Sequence, residues 1–127
     1  MIKQKNTLNS RYPFFIFTLL IWAGSSIPGK SIPQVFEFTP DKLVHLAEYF
    51  ILGIFLQRWI GFDFSDWRRS KKLSVGIAIG ALVGAIDECW QSFIPGRSPD
   101  FRDWLMDVSG ILIAGWIFYF RNSKNTY

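Results

Sequence analysis

The chain has 127 residues, of which half are hydrophobic and 18% aromatic, with a net charge of +4 and a single cysteine. This length allows one domain, and one cysteine excludes both an internal disulfide and a multi-cysteine metal site. The charges come in clusters separated by long apolar stretches, a pattern that soluble domains of this size do not show. The basic residues flank these stretches without forming a basic face, so nucleic acid is not expected as a partner.

Four apolar segments follow one another, over residues 12–27, 43–60, 73–94 and 104–120. A membrane-spanning helix needs roughly 17–25 mostly apolar residues. The third segment meets this length comfortably, whereas the first and last are near its lower limit. We therefore expect an all-α polytopic membrane protein, a four-helix transmembrane bundle formed by a single domain over 1–127. A soluble helical bundle is the alternative.

The first segment also has features of a signal peptide, because Lys3, Lys5 and Arg11 precede it and small residues end it. Cleavage would remove the first of four regularly spaced segments and leave three. We therefore expect this segment to be retained as a helix, with the cleaved leader as the alternative.

The loops differ in charge from one side of the predicted bundle to the other. Ten basic residues precede the first segment, separate the second from the third, or follow the fourth: Lys3, Lys5, Arg11, Arg58, Arg68, Arg69, Lys71, Lys72, Arg121 and Lys124. The two sides carry net charges of +8 and −4. Since cytoplasmic loops of membrane proteins are enriched in Lys and Arg, both termini are predicted to be cytoplasmic. The acidic side then faces outward.

Local signals mark the ends and the contacts of the helices. Pro28-Gly29 ends the first, Thr39-Pro40-Asp41 caps the second, and Pro95-Gly96 ends the third. Gly76, Gly80 and Gly84 recur every four residues, which predicts a face where another helix approaches closely.

Polar residues recur at helical spacing near the outward ends of three segments. They are Asp41, His45 and Glu48 on the second, Asp87, Glu88 and Gln91 on the third, and Asp103 and Asp107 on the fourth. Ionisable groups at membrane depth normally face a protein interior or a wet cavity. The spacing therefore predicts a polar pocket that opens outward.

Carboxylates and a histidine are the residue types of acid–base chemistry. The candidate catalytic residues are Asp41, His45, Glu48, Asp87 and Glu88, and the candidate ligand-binding residues are Gln91, Arg97, Asp103 and Asp107. Arg97 is expected to pair with Asp87 or Asp103. No metal is expected, because a lone histidine near carboxylates is more often structural than a metal ligand. The sequence names no cofactor.

Structural roles compete with these functional ones. Asp41 fits a helix cap, Asp100 a turn, and Tyr49 a core position. Asp87 and Glu88 could serve only to pair with Arg97 and lock the bundle. No established catalytic motif, such as a zinc-protease helix or a nucleotide-binding loop, is present.

Three blocks in series resemble the VanZ-like family. They are Asp41-Lys42-Leu43-Val44-His45, Asp87-Glu88-Cys89-Trp90-Gln91-Ser92-Phe93-Ile94-Pro95-Gly96-Arg97, and Asp103 with Gly110. The resemblance implies a small multi-pass protein of the bacterial cytoplasmic (inner) membrane and cell envelope. The founding member of the family is associated with resistance to the glycopeptide antibiotic teicoplanin. Where the family commonly has Asn, this chain has Asp107, which makes the predicted pocket more acidic.

Three functions fit these observations. The first is an envelope protein whose pocket binds or modifies a lipid-linked or cell-wall molecule, in contact with the lipid bilayer. The second is a non-enzymatic structural or assembly protein whose polar residues only lock the helices together. The third is a small transporter, which is weakened because the cytoplasmic half carries no intramembrane charges.

Overall fold

The structure, a computed structural model, describes residues 7–28 and 41–123. These residues form four α-helices and no strand: α1 (Thr7–Ser25), α2 (Asp41–Asp63), α3 (Arg69–Gln91) and α4 (Phe101–Ser123). The prediction of an all-helical chain with four helices is confirmed. The predicted boundary residues Gly29, Thr39 and Pro40 lie outside the described residues.

Three of the helices are long and apolar enough to cross a membrane, over Lys42–Asp63, Arg69–Gln91 and Phe101–Arg121. α1 is not among them. It begins with the polar stretch Thr7–Arg11, which shortens its apolar part. The described residues thus support three spans of the four expected.

α2 lies at the centre of the bundle. It contacts all three other helices and packs most extensively against α4, whereas α1 packs against α2 and touches α3 only slightly. Tyr49, Leu52, Leu56 and Ile60 recur on one face of α2 and are almost completely buried. This period of three and four residues is that of a helix face turned towards a core.

Glycines set the distance between α2 and α4. A Cβ atom built on Gly110 would lie 2.5 Å from the Leu46 carbonyl oxygen and 2.7 Å from the Phe50 amide nitrogen. On the facing helix, a Cβ on Gly53 would lie 2.7 Å from that of Ala114. Neither the backbone atoms facing Gly110 nor the rigidly attached Cβ of Ala114 can move aside cheaply, so both positions exclude side chains at this separation of the helices.

The glycine stripe of α3 packs against the same two helices. Gly76, Gly80 and Gly84 are buried, and Gly80 faces the side chain of Ile111 while Gly84 faces that of Asp107. The predicted packing role of these glycines is confirmed.

Polar contacts fasten α1 to α2 at one end of the bundle. The Asp63 carboxylate accepts hydrogen bonds from Arg11 Nε at 2.5 Å, Trp59 Nε1 at 2.8 Å and Ser10 Oγ at 3.3 Å. In the sequence, Asp63 and Asp66 are the two acids on the side of the predicted bundle that carries the ten basic residues. The contact with a distant helix could not be predicted from its neighbours in the chain.

α3 ends at Gln91, three residues before the end of the predicted segment 73–94. The chain continues in turns through Pro95 and Gly96, and Gly96 has φ = 76°, a backbone conformation that favours glycine. The resulting loop returns directly into α4.

Candidate functional site

Contacts between side chains bring the start of α2, the end of α3 and the start of α4 to one end of the bundle. The buried ionisable residues there are His45, Asp87, Glu88, Asp103 and Asp107, referred to below as the polar cluster. All five were predicted as site residues from helical spacing. The structure brings them together from three helices.

A buried histidine–carboxylate pair joins α2 to α4. His45 Nδ1 lies 2.8 Å from Asp107 Oδ1, and His45 Nε2 lies 3.8 Å from Asp103 Oδ2. His45 is 5% exposed and Asp107 is fully buried. An imidazole flanked by carboxylates on both nitrogens is held in one orientation, which suits it to transfer a proton or to bind a cation.

The two acids of α3 meet different partners. Asp87 is fully buried and accepts a hydrogen bond from the Tyr49 hydroxyl at 3.3 Å. Glu88 Oε2 accepts one from the backbone N–H of Asp100 at 3.1 Å. Glu88 therefore holds the loop between α3 and α4 against the end of α3.

Lys42 supplies positive charge at the rim of the cluster. Its ammonium group lies 3.4 Å from both Asp100 Oδ2 and Asp103 Oδ1. Asp100 also caps α4, since its Oδ1 accepts the backbone N–H of Arg102 at 2.8 Å. That hydrogen bond, aided by the charge of Lys42, holds the pKa of the Asp100 carboxyl below its usual value.

Arg97 does not make the predicted ion pair. No ion pair of Arg97 with Asp87 or Asp103 occurs among the described residues; its guanidinium donates instead to the carbonyl oxygens of Gly24 at 3.2 Å and Ile27 at 3.1 Å. The carbonyl oxygens at the C-terminal end of α1 carry partial negative charge, which attracts a cation. This contact takes Arg97 to α1 rather than over the cluster.

Gln91 likewise faces α1, donating from Nε2 to Ser25 Oγ at 3.3 Å. The neighbouring Trp90 donates from Nε1 to Ser26 Oγ at 2.8 Å. Both residues join α3 to the end of α1, a role that the sequence did not assign to them.

Two further predicted site residues are not members of the polar cluster. Asp41 begins α2, and its side chain lies outside the described residues. Glu48 is half-buried on α2, directly before Tyr49. It does not belong to the group formed by His45, Glu88 and Asp107, whose ligand atoms lie close together.

One group of side chains could hold a metal ion. His45, Glu88 and Asp107 are all buried, and each offers one ligand atom within 4.8 Å of the other two. Among the described residues, Glu88 Oε1, Asp107 Oδ2 and Asp87 Oδ1 are buried without a hydrogen-bond partner. The sequence predicted no metal, yet the donor set fits one.

A cleft borders the cluster between the end of α3 and the start of α4. It has a volume of about 340 Å³ and is lined by Ala85, Glu88, Pro99, Asp100, Phe101 and Trp104. Its walls are mostly apolar, and Glu88 and Asp100 bring polar groups to it. Glu88 therefore belongs both to the polar cluster and to the wall of a mostly apolar cleft.

A cavity of about 620 Å³ lies at the opposite end of the bundle. Gln57, Arg58, Arg69 and Lys72 contribute its polar lining. It contains none of the acids of the polar cluster, so the two ends differ in charge as well as in position.

Sequence reasoning missed two members of the site. Tyr49 lies in the core, as expected, and its buried hydroxyl also contacts Asp87, which was not predicted. Its position four residues after His45 places both on one helix face and could have indicated this. Lys42 was not among the predicted site residues, and nothing local in the sequence points to its two carboxylate partners.

Comparison with known proteins gives one match. No curated protein and no solved structure matched the chain. A family model described as VanZ/LLP1 matches residues 4–122, which include all four helices apart from the last residue of α4. The chain belongs to the VanZ/LLP1 family.

Proposed function

We propose that this protein is a multi-pass protein of the bacterial cytoplasmic membrane whose polar cluster faces outward and binds the polar head of a lipid-linked cell-envelope molecule. The observation that carries the proposal is the position of Glu88. It belongs to the buried group with His45 and Asp107 and also lines the mostly apolar cleft between α3 and α4. A molecule with an apolar tail could lie in the cleft and present its head to the cluster.

The proposed topology has four spans and cytoplasmic termini. Arg58, Arg69 and Lys72 lie at the end opposite to the polar cluster, which supports a cytoplasmic position for that end. For α1, the exposed Ile16 and Leu19 supply an apolar outer surface, at 56% and 64% exposure. Lipid contact would cover such side chains.

The charge of the cluster indicates the chemistry of the ligand. Four carboxylates are buried there, and the Lys42 ammonium group and the His45 imidazole lie against them. Ionised carboxylates only accept hydrogen bonds. The head group is therefore expected to offer donors, such as an ammonium or hydroxyl group, or to arrive with a cation. His45 held by Asp107 could serve as a proton acceptor if the bound molecule is modified.

Co-purified lipids test this binding role. The wild-type protein and the variants Glu88→Gln, Asp107→Asn and Asp66→Asn would be purified in nanodiscs and analysed by native mass spectrometry. Asp66 is exposed on the opposite side and serves as the control. We expect a lipid-linked species with the wild type and Asp66→Asn that is lost from the other two variants. Retention of the same species by all four would contradict the proposal.

Teicoplanin resistance, implied by family membership, gives a cellular readout. In a sensitive host, expression of the wild-type chain should raise the inhibitory concentration of teicoplanin. His45→Ala should abolish this effect while the protein still accumulates in the membrane. An unchanged inhibitory concentration with the wild-type chain would remove this part of the proposal.

A structural role is the second candidate, and the contacts of Arg97, Trp90 and Gln91 with the end of α1 favour it. In that case, substitutions in the polar cluster would reduce the amount of folded protein in the membrane. Transport has less support, because the layer formed by Leu52, Leu56 and Ile111 is buried and apolar.

A further inference from the structure

We infer that His45, Glu88 and Asp107 form a binding site for one divalent metal ion of the Zn²⁺ or Mn²⁺ type. The inference deepens the function proposed above and rests on it for the role of the ion. Binding itself can be measured separately from any lipid ligand.

The first observation is convergence. The three residues come from α2, α3 and α4, and their ligand atoms lie within 4.8 Å of one another. Metal–ligand distances of ~2.0–2.2 Å place the ligand atoms of a tetrahedral site ~3.3–3.6 Å apart. A small inward rotation of the side chains would therefore close the group around an ion.

The second observation is that Asp107 and Glu88 each have one carboxylate oxygen without a hydrogen-bond partner among the described residues. Asp107 Oδ1 contacts His45 and Glu88 Oε2 accepts the Asp100 N–H. The other oxygens, Asp107 Oδ2 and Glu88 Oε1, are buried and have no hydrogen-bond partner within residues 7–28 and 41–123. Buried polar atoms are normally satisfied, so an unpartnered one needs an explanation. A cation between them would satisfy both.

Neighbouring residues fit the outer shell of such a site. If His45 binds the ion through Nδ1, the bond to the metal replaces its present hydrogen bond with Asp107 Oδ1. Its Nε2–H then points to Asp103 Oδ2, at present 3.8 Å away. A metal-bound histidine almost always donates its other N–H to a carboxylate or carbonyl group. The Asp100 N–H would orient Glu88 in the same way. Asp103 is therefore a positioning residue in this proposal and not a ligand.

The donor set narrows the choice of ion. Mg²⁺ and Ca²⁺ favour all-oxygen ligands, whereas an imidazole suits transition metals, and carboxylates also suit Mn²⁺. Three protein ligands leave coordination positions open, as in catalytic zinc sites. Because Glu88 lines the cleft between α3 and α4, an open position there could take a hydroxyl, carboxylate or phosphate oxygen of the bound molecule. The ion would also balance the charge of two carboxylates.

Metal binding to the intact purified protein tests the inference. The wild type would be stripped with a chelator and titrated with Zn²⁺, Mn²⁺ and Mg²⁺ by calorimetry, with bound metal measured by elemental analysis. Co²⁺ would be added as a spectroscopic substitute. We expect one ion per chain, a preference for Zn²⁺ or Mn²⁺ over Mg²⁺, and a visible Co²⁺ spectrum typical of nitrogen and oxygen ligands.

Variants assign the ion to this group. Glu88→Gln and Asp107→Asn should each lower the affinity, whereas Asp66→Asn, far from the cluster, should leave it unchanged. Asp103→Asn should weaken binding by about 10–100-fold, as loss of an outer-shell partner does. Helix content and elution volume show which variants are folded, and the Co²⁺ spectrum of the wild type requires no variant.

Three outcomes would overturn the inference: no bound ion in the wild type, an affinity unaffected by Glu88→Gln and Asp107→Asn, or a preference for Mg²⁺. If no ion binds but the wild type retains a lipid that Asp107→Asn loses, the metal site is wrong and the proposed function stands. If the ion binds but no lipid is retained, the metal site stands alone.

Discussion

At the scale of single residues, the polar cluster contains carboxylate oxygens that are hydrogen-bonded and others that are buried without a hydrogen-bond partner among the described residues. The carboxylates of Glu88 and Asp107 each use one oxygen within the protein, and the other lacks a partner among the described residues. A purely structural network is expected to satisfy its buried atoms, because a half-satisfied one destabilises the fold. These two oxygens are therefore the strongest local argument that the cluster binds something.

Asp100 is the residue whose charge can be tested by pH. Its pKa is lowered from the usual 3.8 by the Arg102 N–H and by Lys42. A carboxyl whose pKa is lower in the folded state stabilises the fold above its unfolded pKa, and this contribution is lost as the pH falls through the folded pKa. Wild-type protein should therefore be more stable than Asp100→Asn near neutral pH, and the difference should vanish in acid.

Thermal unfolding of both proteins in one detergent, across the acid range, measures this difference. Asn can still cap the helix, so the comparison isolates the charge. A difference in melting temperature that stays constant down to the lowest pH would contradict the role assigned to the Asp100 carboxylate.

At the scale of helices, the close approach of α2 and α4 places His45 beside Asp107. Gly110→Ala should separate these helices, because its Cβ would meet backbone atoms of Leu46 and Phe50. Overpacking of this kind typically costs about 1–3 kcal/mol. Gly24→Ala on α1 is the matched control, since nothing lies within 4 Å of its added Cβ.

Relative to the wild type, the free energy of unfolding should thus fall in Gly110→Ala but not in Gly24→Ala. Gly24→Ala should be neutral or slightly stabilising, because alanine favours a helix over glycine. Equal stability of Gly110→Ala and the wild type would show that the helices are not held as closely as the structure places them.

The helices also show how far sequence reasoning reaches. Helical spacing predicted that the polar residues of each helix lie on one face near the same end of the bundle. His45, Glu88 and Asp107 do meet there. Spacing gives the face of a helix but not the partner of a long side chain. For that reason Arg97 was assigned to the carboxylates, although it donates to carbonyl oxygens at the end of α1.

At the scale of the whole molecule, the two ends are chemically different. The acids of the polar cluster lie at one end, and the cavity lined by Arg58, Arg69 and Lys72 lies at the other. The sequence predicted this polarity from loop charges alone. The cleft between α3 and α4 was not predicted, because Ala85, Pro99 and Trp104 are separated in the chain and none of them alone indicates a binding site.

The side of the membrane on which the polar cluster lies can be measured most directly with engineered cysteines. In a Cys89→Ser background, Ser98→Cys would label the loop beside the cluster, and Ser65→Cys the loop at the opposite end; both serines are exposed. A membrane-impermeant maleimide applied to intact cells should modify Cys only in the Ser98→Cys protein, with Ser65→Cys modified after lysis. The reverse pattern would place the cluster in the cytoplasm and contradict the account.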